Sequence, residues 1–164
     1  MLDRPATRFT PAQLQERLSG LHPELFVLGP VALDGRHPGE HPDNFAGGVM
    51  AQPASSAAAA ALVTWCAAHD VAIVPQGGLT GLVGGNVSHQ GEVILSSARL
   101  NRILAIHPNE MTVEVEAGVP LEACSRRSPP TGSPPASTSD RAARQPSAAW
   151  SRPMPAAFSP SATA

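Results

Sequence analysis

The chain has no lysine and no tyrosine, and its aromatic residues are only two Trp and four Phe among 164 residues. Without lysine it cannot form a Walker phosphate loop, in which Lys reaches the β- and γ-phosphates, so nucleoside triphosphate hydrolysis is excluded. Its eleven cations are all Arg; they form no stripe and are not interleaved with aromatics, so no nucleic-acid partner is expected. Two cysteines, Cys66 and Cys124, with no CxxC spacing cannot make a disulfide framework and suit a reducing compartment. The histidines at 22, 37, 41, 69, 89 and 107 show no i, i+4 pair, so no metal site is expected. No apolar run approaches the ~20 residues of a membrane span. The segment Met1-Leu2-Asp3-Arg4-Pro5 lacks an apolar signal-peptide core, and the expectation is a soluble, cytoplasmic protein with no membrane span.

What the chain does have is glycine, concentrated in one place. Pro75-Gln76-Gly77-Gly78-Leu79-Thr80-Gly81-Leu82-Val83-Gly84-Gly85 follows the apolar run Val71-Ala72-Ile73-Val74. Glycine permits φ > 0 and leaves main-chain N–H groups open to a ligand, so successive amides can converge on phosphate oxygens. The expected ligand is a nucleotide. A dinucleotide fingerprint would lead from the strand into a helix. Here Asn86-Val87-Ser88-His89-Gln90-Gly91 and a second apolar run, Val93-Ile94-Leu95, follow instead. The arrangement is strand, glycine-rich turn, strand.

Local patterns fill in the surroundings. Ser55 is an expected N-cap, and Ala57 to His69 is dense in helix formers, with Leu62, Trp65, Cys66 and His69 at i, i+3, i+4, i+7. Val71 to Val74 reads as a buried strand ended by Pro75. Thr112-Val113-Glu114-Val115-Glu116 alternates as a half-buried strand does, and Pro108-Asn109-Glu110 has turn chemistry, so a hairpin from Ile103 to Val115 is expected. Thr10-Pro11-Ala12-Gln13 signals a capped helix within a lead-in over residues 1–42 that is otherwise expected to be loop.

The stretch 71–85 resembles the pyrophosphate loop of FAD-linked oxidases of the vanillyl-alcohol oxidase and p-cresol methylhydroxylase type, in the branch of glycolate oxidase flavin subunits, D-lactate dehydrogenases and D-2-hydroxyglutarate dehydrogenases. Ile94-Leu95-Ser96, Leu100-Asn101-Arg102-Ile103-Leu104 and Val113 to Val119 resemble the following segments in order and spacing, and Gln52-Pro53-Ala54-Ser55 the opening strand and helix. The resemblance covers roughly Asp43 to Ala123. It implies an α+β fold, the first lobe of a p-cresol methylhydroxylase-type FAD-binding domain, with FAD as cofactor. By the same resemblance Pro75, Gln76, Gly77, Gly78, Leu79, Thr80, Gly81, Leu82, Gly84, Gly85 and Gly118 are cofactor-binding. The backbone amides of Gly77 to Gly81 hold the pyrophosphate and the Thr80 hydroxyl adds a donor. Gly84, Gly85 and Gly118 serve turn geometry, packing against the cofactor, or structure alone. Some relatives attach flavin through a His in this loop; Leu79 and Thr80 stand there, so FAD is expected to be noncovalent. The base that takes the substrate hydroxyl proton belongs to a substrate domain beyond the resembling stretch, and no catalytic residue is expected here.

Composition changes abruptly at residue 125. From Ser125 to Ala164 there is no Val, Ile or Leu, and 26 of those 40 residues are Ser, Pro or Ala; the net charge is −6 before the seam and +4 after it. Such a tract cannot make a core and reads as a disordered tail. The seam falls inside the resembling domain, where Val119-Pro120-Leu121-Glu122-Ala123 should begin a helix, whereas natural linkers fall between domains. A shifted reading frame explains this. Joining each codon's third base to the next two, Arg144 to Ala157 permits Ser/Ala-Thr-Ile-Gly-Gly-Leu-Val-Ala-Thr-Asn-Ala-Gly-Gly, similar to the second glycine-rich flavin segment of the family. Met154-Pro155 forces the last alanine, and Trp150-Ser151, with a TCN serine, forces Val.

The sequence therefore divides into a lead-in (1–42), a partial FAD-binding domain (43–124) and a low-complexity, frame-shifted tail (125–164). The expected function is that of an FAD-binding fragment of an oxidoreductase acting on a 2-hydroxy acid such as D-lactate, glycolate or D-2-hydroxyglutarate, inactive as it stands. The competing reading is a stand-alone nucleotide-binding or interaction module with a genuine disordered tail.

Overall fold

The computed structural model describes residues 8–110 and 112–127. The expected capped helix is α1 (Pro11–Ser19). The Gln13 N–H donates to Thr10 Oγ1 at 3.3 Å and the Thr10 N–H donates to Gln13 Oε1 at 2.9 Å, so each side chain satisfies an orphan donor of the helix end. There follow β1 (Leu25–Leu28), α2 (Pro30–Leu33), a 3₁₀ turn at Pro42–Phe45, β2 (Met50–Pro53) and α3 (Ser56–Ala68). Ser55 caps α3, accepting from the Ala58 N–H at 3.3 Å. Then come β3 (Ile73–Gln76), β4 (Val93–Ser96), a second 3₁₀ turn at Ser97–Arg99, β5 (Ile103–His107), β6 (Thr112–Val115) and α4 (Leu121–Arg127).

Four strands form one sheet in the order β1-β2-β4-β3. β4 is parallel to both its neighbours, and β1 is antiparallel to β2 with Leu25 opposite Pro53 and Leu28 opposite Met50. Side chains alternate across a strand, so β2 and β4 serve two cores. Ala51 and Val93 join Leu14, Leu18, Leu25, Val49, Ala58, Leu62 and Cys66 on the face covered by α1 and α3. Met50 and Ile94 join Leu28 and Leu33 on the other, with Phe45 against them. Each fully buried Leu contributes about 1.5–3 kcal/mol relative to an exposed one. β5 and β6 make a separate antiparallel pair, the expected hairpin, with a register shift between Ile103 and Ala105.

Three expectations need correction. The lead-in supplies a sheet strand, β1, as well as helix and loop: Leu25 to Leu28 is a short apolar run whose partner lies across the chain in β2. The strand expected at Val71 to Val74 lies two residues later, because the Val71 N–H is spent on the Cys66 carbonyl at 2.9 Å in closing α3, with Asp70 in the left-handed region at φ 54°. Pro75 thus lies inside β3, which is tolerated because β3 is an edge strand. The Ala72 carbonyl accepts from the Val93 N–H, so by alternation Pro75 faces the open side, where its missing N–H breaks no ladder. His69 is the C-cap of α3 rather than part of its buried face; the buried residues are Ala58, Leu62 and Cys66, and the His69 ring stacks on Trp65 at 4.2 Å. Helix α4 runs through Arg127, past the compositional seam. The tail expected to be frame-shifted lies, from residue 128 on, outside the described residues.

Candidate functional site

β3 and β4 are adjacent and parallel, so the chain between them cannot be a tight hairpin and must return the full length of a strand. It does so without a helix. The glycine-rich half leaves the carboxyl end of β3, the side of a parallel sheet where ligands bind in open α/β folds. The second half returns past Asp43, whose carbonyl accepts from the Ser88 N–H at 3.2 Å.

The roots of this loop are tied by a buried polar node. Gln76, the last residue of β3 and only 3% exposed, donates through Nε2 to the Asn44 carbonyl at 2.6 Å and to the Asn86 carbonyl at 2.8 Å. Ser88 Oγ donates to the same Asn44 carbonyl at 2.9 Å and accepts from the Gly47 N–H at 2.9 Å. Asn44 Nδ2 reaches the Pro38 carbonyl at 2.8 Å. Asn44 Oδ1 and Gln76 Oε1 remain buried without a partner among the described residues.

Between the roots the backbone is polarised. The Leu79 carbonyl accepts from Glu40 N–H at 3.2 Å, the Gly84 carbonyl from Val87 N–H at 3.1 Å, and the Asn86 carbonyl from Gln76. No backbone N–H from Gly77 to Asn86 has an acceptor among the described residues. Three carbonyls of the turn are engaged by the protein, while its N–H groups are left without a protein acceptor among the described residues. That is the polarity a polyanion needs, and it requires no cationic side chain.

The glycines act differently from the expectation. Among residues 75–85 only Gly84 (φ 76°) and, unexpectedly, Leu79 (φ 59°) are left-handed. The remaining loop glycines therefore matter for their missing Cβ rather than for positive φ. A Cβ on Gly81 would sit 3.2 Å from Asn86 Nδ2, and one on Gly85 would meet nothing within 4 Å. Leu79 is packed against the turn below it: a Cβ on Gly39 (φ 85°) would come within 2.5 Å of Leu79 Cβ. At the tip, Leu82 and Val83 are 76% and 96% exposed. Gly118 is not in the loop. It donates to the Leu100 carbonyl at 2.7 Å, and a Cβ there would collide with the Ser97 carbonyl. Ser97 Oγ in turn makes a long, 3.5 Å bond to the Gln76 carbonyl, so Gly118 is linked to the loop root through Ser97.

The structure thus gathers Pro75, Gln76, Gly77, Gly78, Leu79, Thr80, Gly81, Leu82, Gly84 and Gly85 into one turn and sets Gly118 beside it. A cavity of about 800 Å³ lies along the open edge of β3, and of these residues Pro75, Gly84 and Gly85 line it. Asn44, Ser88 and Gly39 carry no sequence signal as site residues; Asn44 lies far from the loop in sequence, and it is its main-chain carbonyl that meets Gln76 and Ser88. Among the described residues no group of three or more His, Cys, Asp or Glu could hold a metal, and no helix is long and apolar enough to cross a membrane. Burial pushes the Cys66 thiol up to about 11, which makes it a packing residue rather than a nucleophile.

Residues 48–136 match the family model described as an FAD binding domain. A D-2-hydroxyglutarate dehydrogenase of Xanthomonas citri pv. viticola is 47% identical over 74 residues, covering 45% of this chain and 16% of that enzyme. A D-lactate dehydrogenase of Anaerostipes hadrus is 36% identical over 73 residues, covering 44% of this chain and 15% of that enzyme. Among solved structures, CrmK, a flavoenzyme of caerulomycin biosynthesis, aligns with a TM-score of 0.47 at 17% identity, over 64% of this chain and 22% of that one. The chain spans about a sixth of the length of the curated relatives it matches.

Proposed function

The chain belongs to the family of FAD binding domains that its residues 48–136 match, and from that premise we propose that the turn after β3 holds the pyrophosphate of a noncovalently bound FAD in an oxidoreductase for a 2-hydroxy acid such as D-lactate, glycolate or D-2-hydroxyglutarate. The observation that carries the reading is the run of N–H groups from Gly77 to Asn86 that have no acceptor among the described residues, with the Leu79, Gly84 and Asn86 carbonyls engaged by the protein. The fit is chemical as well as geometric: amide dipoles stabilise a diphosphate, and no Cβ covers them at Gly77, Gly78, Gly81, Gly84 or Gly85. Thr80, half-buried in the same turn, adds a hydroxyl donor. Noncovalent binding is supported by the absence of His from residues 75–85. When bound, FAD would supply the two-electron acceptor for oxidation of the hydroxy acid.

In this reading residues 43–124 are the first part of the flavin domain, and the protein works in the cytoplasm, where two thiols outside any disulfide are stable. Affinity for a dinucleotide is assembled from many contacts, and every 1.4 kcal/mol lost is tenfold in Kd. The 164-residue chain alone is therefore expected to bind FAD weakly, with Kd on the order of 0.1–1 mM, and to show no turnover.

Flavin fluorescence titration of the purified chain tests this. Saturable quenching that is lost in Gly81→Val, whose added Cβ would stand 3.2 Å from Asn86 Nδ2 and crowd the turn, is the expected result. A folded chain with no saturable response at millimolar FAD, or an unchanged response in Gly81→Val, overturns the assignment of this turn. Substrate-dependent reduction with D-lactate or D-2-hydroxyglutarate and an artificial acceptor would instead show that the chain is a working enzyme.

A further inference from the structure

We propose that Gln76 is a positioning residue that locks the glycine-rich turn into its anion-ready shape before any ligand arrives. The inference rests on the reading of that turn as the pyrophosphate site, but its geometry stands apart from the ligand. The Gln76 carboxamide is inaccessible to a ligand and acts through the backbone. Its Nε2 donates at 2.6 Å to the Asn44 carbonyl, on the 3₁₀ turn before β2, and at 2.8 Å to the Asn86 carbonyl, at the far root of the loop. One amino group thus joins the first residue of the excursion, its last residues and the turn beneath. Exchanging Oε1 and Nε2 would aim an oxygen at two carbonyl oxygens, so the hydrogen-bond pattern fixes the orientation. Ser88 Oγ makes a second closure onto the same Asn44 carbonyl at 2.9 Å, which fills both acceptor sites of that oxygen.

The loop needs such a lock. It is rich in glycine, exposed along much of its length, and has no side chain in either core. Left to itself it would sample many conformations, and ordering it on binding would cost affinity. With both roots pinned, the N–H groups from Gly77 to Asn86, which have no acceptor among the described residues, are held in fewer arrangements.

Amide hydrogen exchange on the cofactor-free chain, with FAD titration in parallel, tests the proposal in Gln76→Met, Gln76→Glu and Ser88→Ala. In Gln76→Met the amides of Gly47, Val87 and Ser88 should exchange about tenfold faster or more, as the loss of both Gln76 side-chain bonds and the stranding of one carbonyl, that of Asn86, implies. Those of α3 and β4 should stay unchanged, and FAD affinity should fall by a comparable factor. Gln76→Glu should recover FAD binding as the pH is lowered from about 8 to about 5, because a protonated carboxyl can again donate to a carbonyl. Gln76→Met has no such pH response. If Gln76→Met does not fold, Gln76→Glu must still loosen Gly47, Val87 and Ser88 selectively at about pH 8 and tighten them again at about pH 5, while Ser88→Ala, which keeps the Gln76 bonds, loosens Gly47 alone. Unchanged exchange at these amides, or acceleration spread evenly over α3 and β4, overturns the proposal. Should the wild-type chain fail to bind millimolar FAD while the loop amides respond as expected, the ligand assignment falls and the lock remains.

Discussion

The sheet with its glycine-rich loop and the β5-β6 hairpin are built by opposite means. In the sheet, partners come from far along the chain: β1 lies on β2, β4 is inserted between β2 and β3, and the loop roots meet through Gln76, Asn44 and Ser88. The hairpin closes on itself through a short turn. No side chain of β5 or β6 belongs to either core, and its open end is held by Arg102 and Glu116: Nη2 and Nε reach Glu116 Oε1 at 2.7 and 2.9 Å, and the Arg102 N–H donates to Oε2 at 2.8 Å. The contrast shows that the site is attached to the region with buried, long-range support, while the hairpin depends on local pairing and an ion pair between the exposed Arg102 and the covered Glu116 side chain.

The largest expected effect separates the two by core truncation. Leu62→Ala, in the fully buried face of α3, should destabilise by about 2–5 kcal/mol. Val113→Ala, on a half-exposed hairpin strand, should cost on the order of 1 kcal/mol. Urea denaturation followed by circular dichroism compares them, and equal costs would erase the distinction. Next in size is Gly118→Ala at the junction of the regions. Its Cβ would press on the Ser97 carbonyl and sit 2.7 Å from that of Leu100, so a cost of about 1–3 kcal/mol is expected. The same measurement detects it, and a neutral result would mean that the hairpin shifts freely relative to the sheet.

Within the loop, Gly84→Ala should cost about 1 kcal/mol because φ is 76°, whereas Gly85→Ala, with open space around the added Cβ, should be close to neutral. Thermal melts of the pair decide it; a neutral Gly84→Ala would indicate that the turn adopts another conformation.

The smallest effect is electrostatic. The Arg102 side-chain bond, and then the Arg102 backbone N–H, hold the Glu116 carboxyl below its ordinary value of 4.5. A carboxylate whose folded value is depressed stabilises the fold above the unfolded value and loses that contribution as pH falls through the folded one. The hairpin should therefore loosen as the pH falls below that ordinary value. The pair is partly open, with Arg102 64% exposed, so the change is modest and screened by salt. Hairpin amide chemical shifts should follow this acid transition in the wild type and not in Glu116→Gln; identical behaviour would remove Glu116 as its source.

Much of the fold was legible in the chain. Thr10 with Gln13, and Ser55 before an alanine-rich run, announced α1 and α3; the alternation from Thr112 announced β6 and hence the hairpin. The order strand, glycine-rich turn, strand was equally plain and placed ten of the eleven candidate residues in one turn. Less legible were Leu25 to Leu28, an apolar run too short to tell strand from loop until β2 lay beside it, and Pro75, which looked like a strand terminator because edge position is not encoded locally. Leu79 was the least expected, since a leucine at φ 59° is paid for by its packing against Gly39 and the bond from Glu40, neither visible in the loop itself.

The division follows the range of the forces. Caps, helical and strand periodicity and turn chemistry act over a few residues, and those the sequence determined by itself: the kinds of element, their order, and where backbone amides could be bared. Which amides are bared, and in what shape they are held, depends on the Asn44 carbonyl meeting both Gln76 and Ser88. A main-chain oxygen carries no residue identity, so only the assembled sheet could bring that acceptor to its donors.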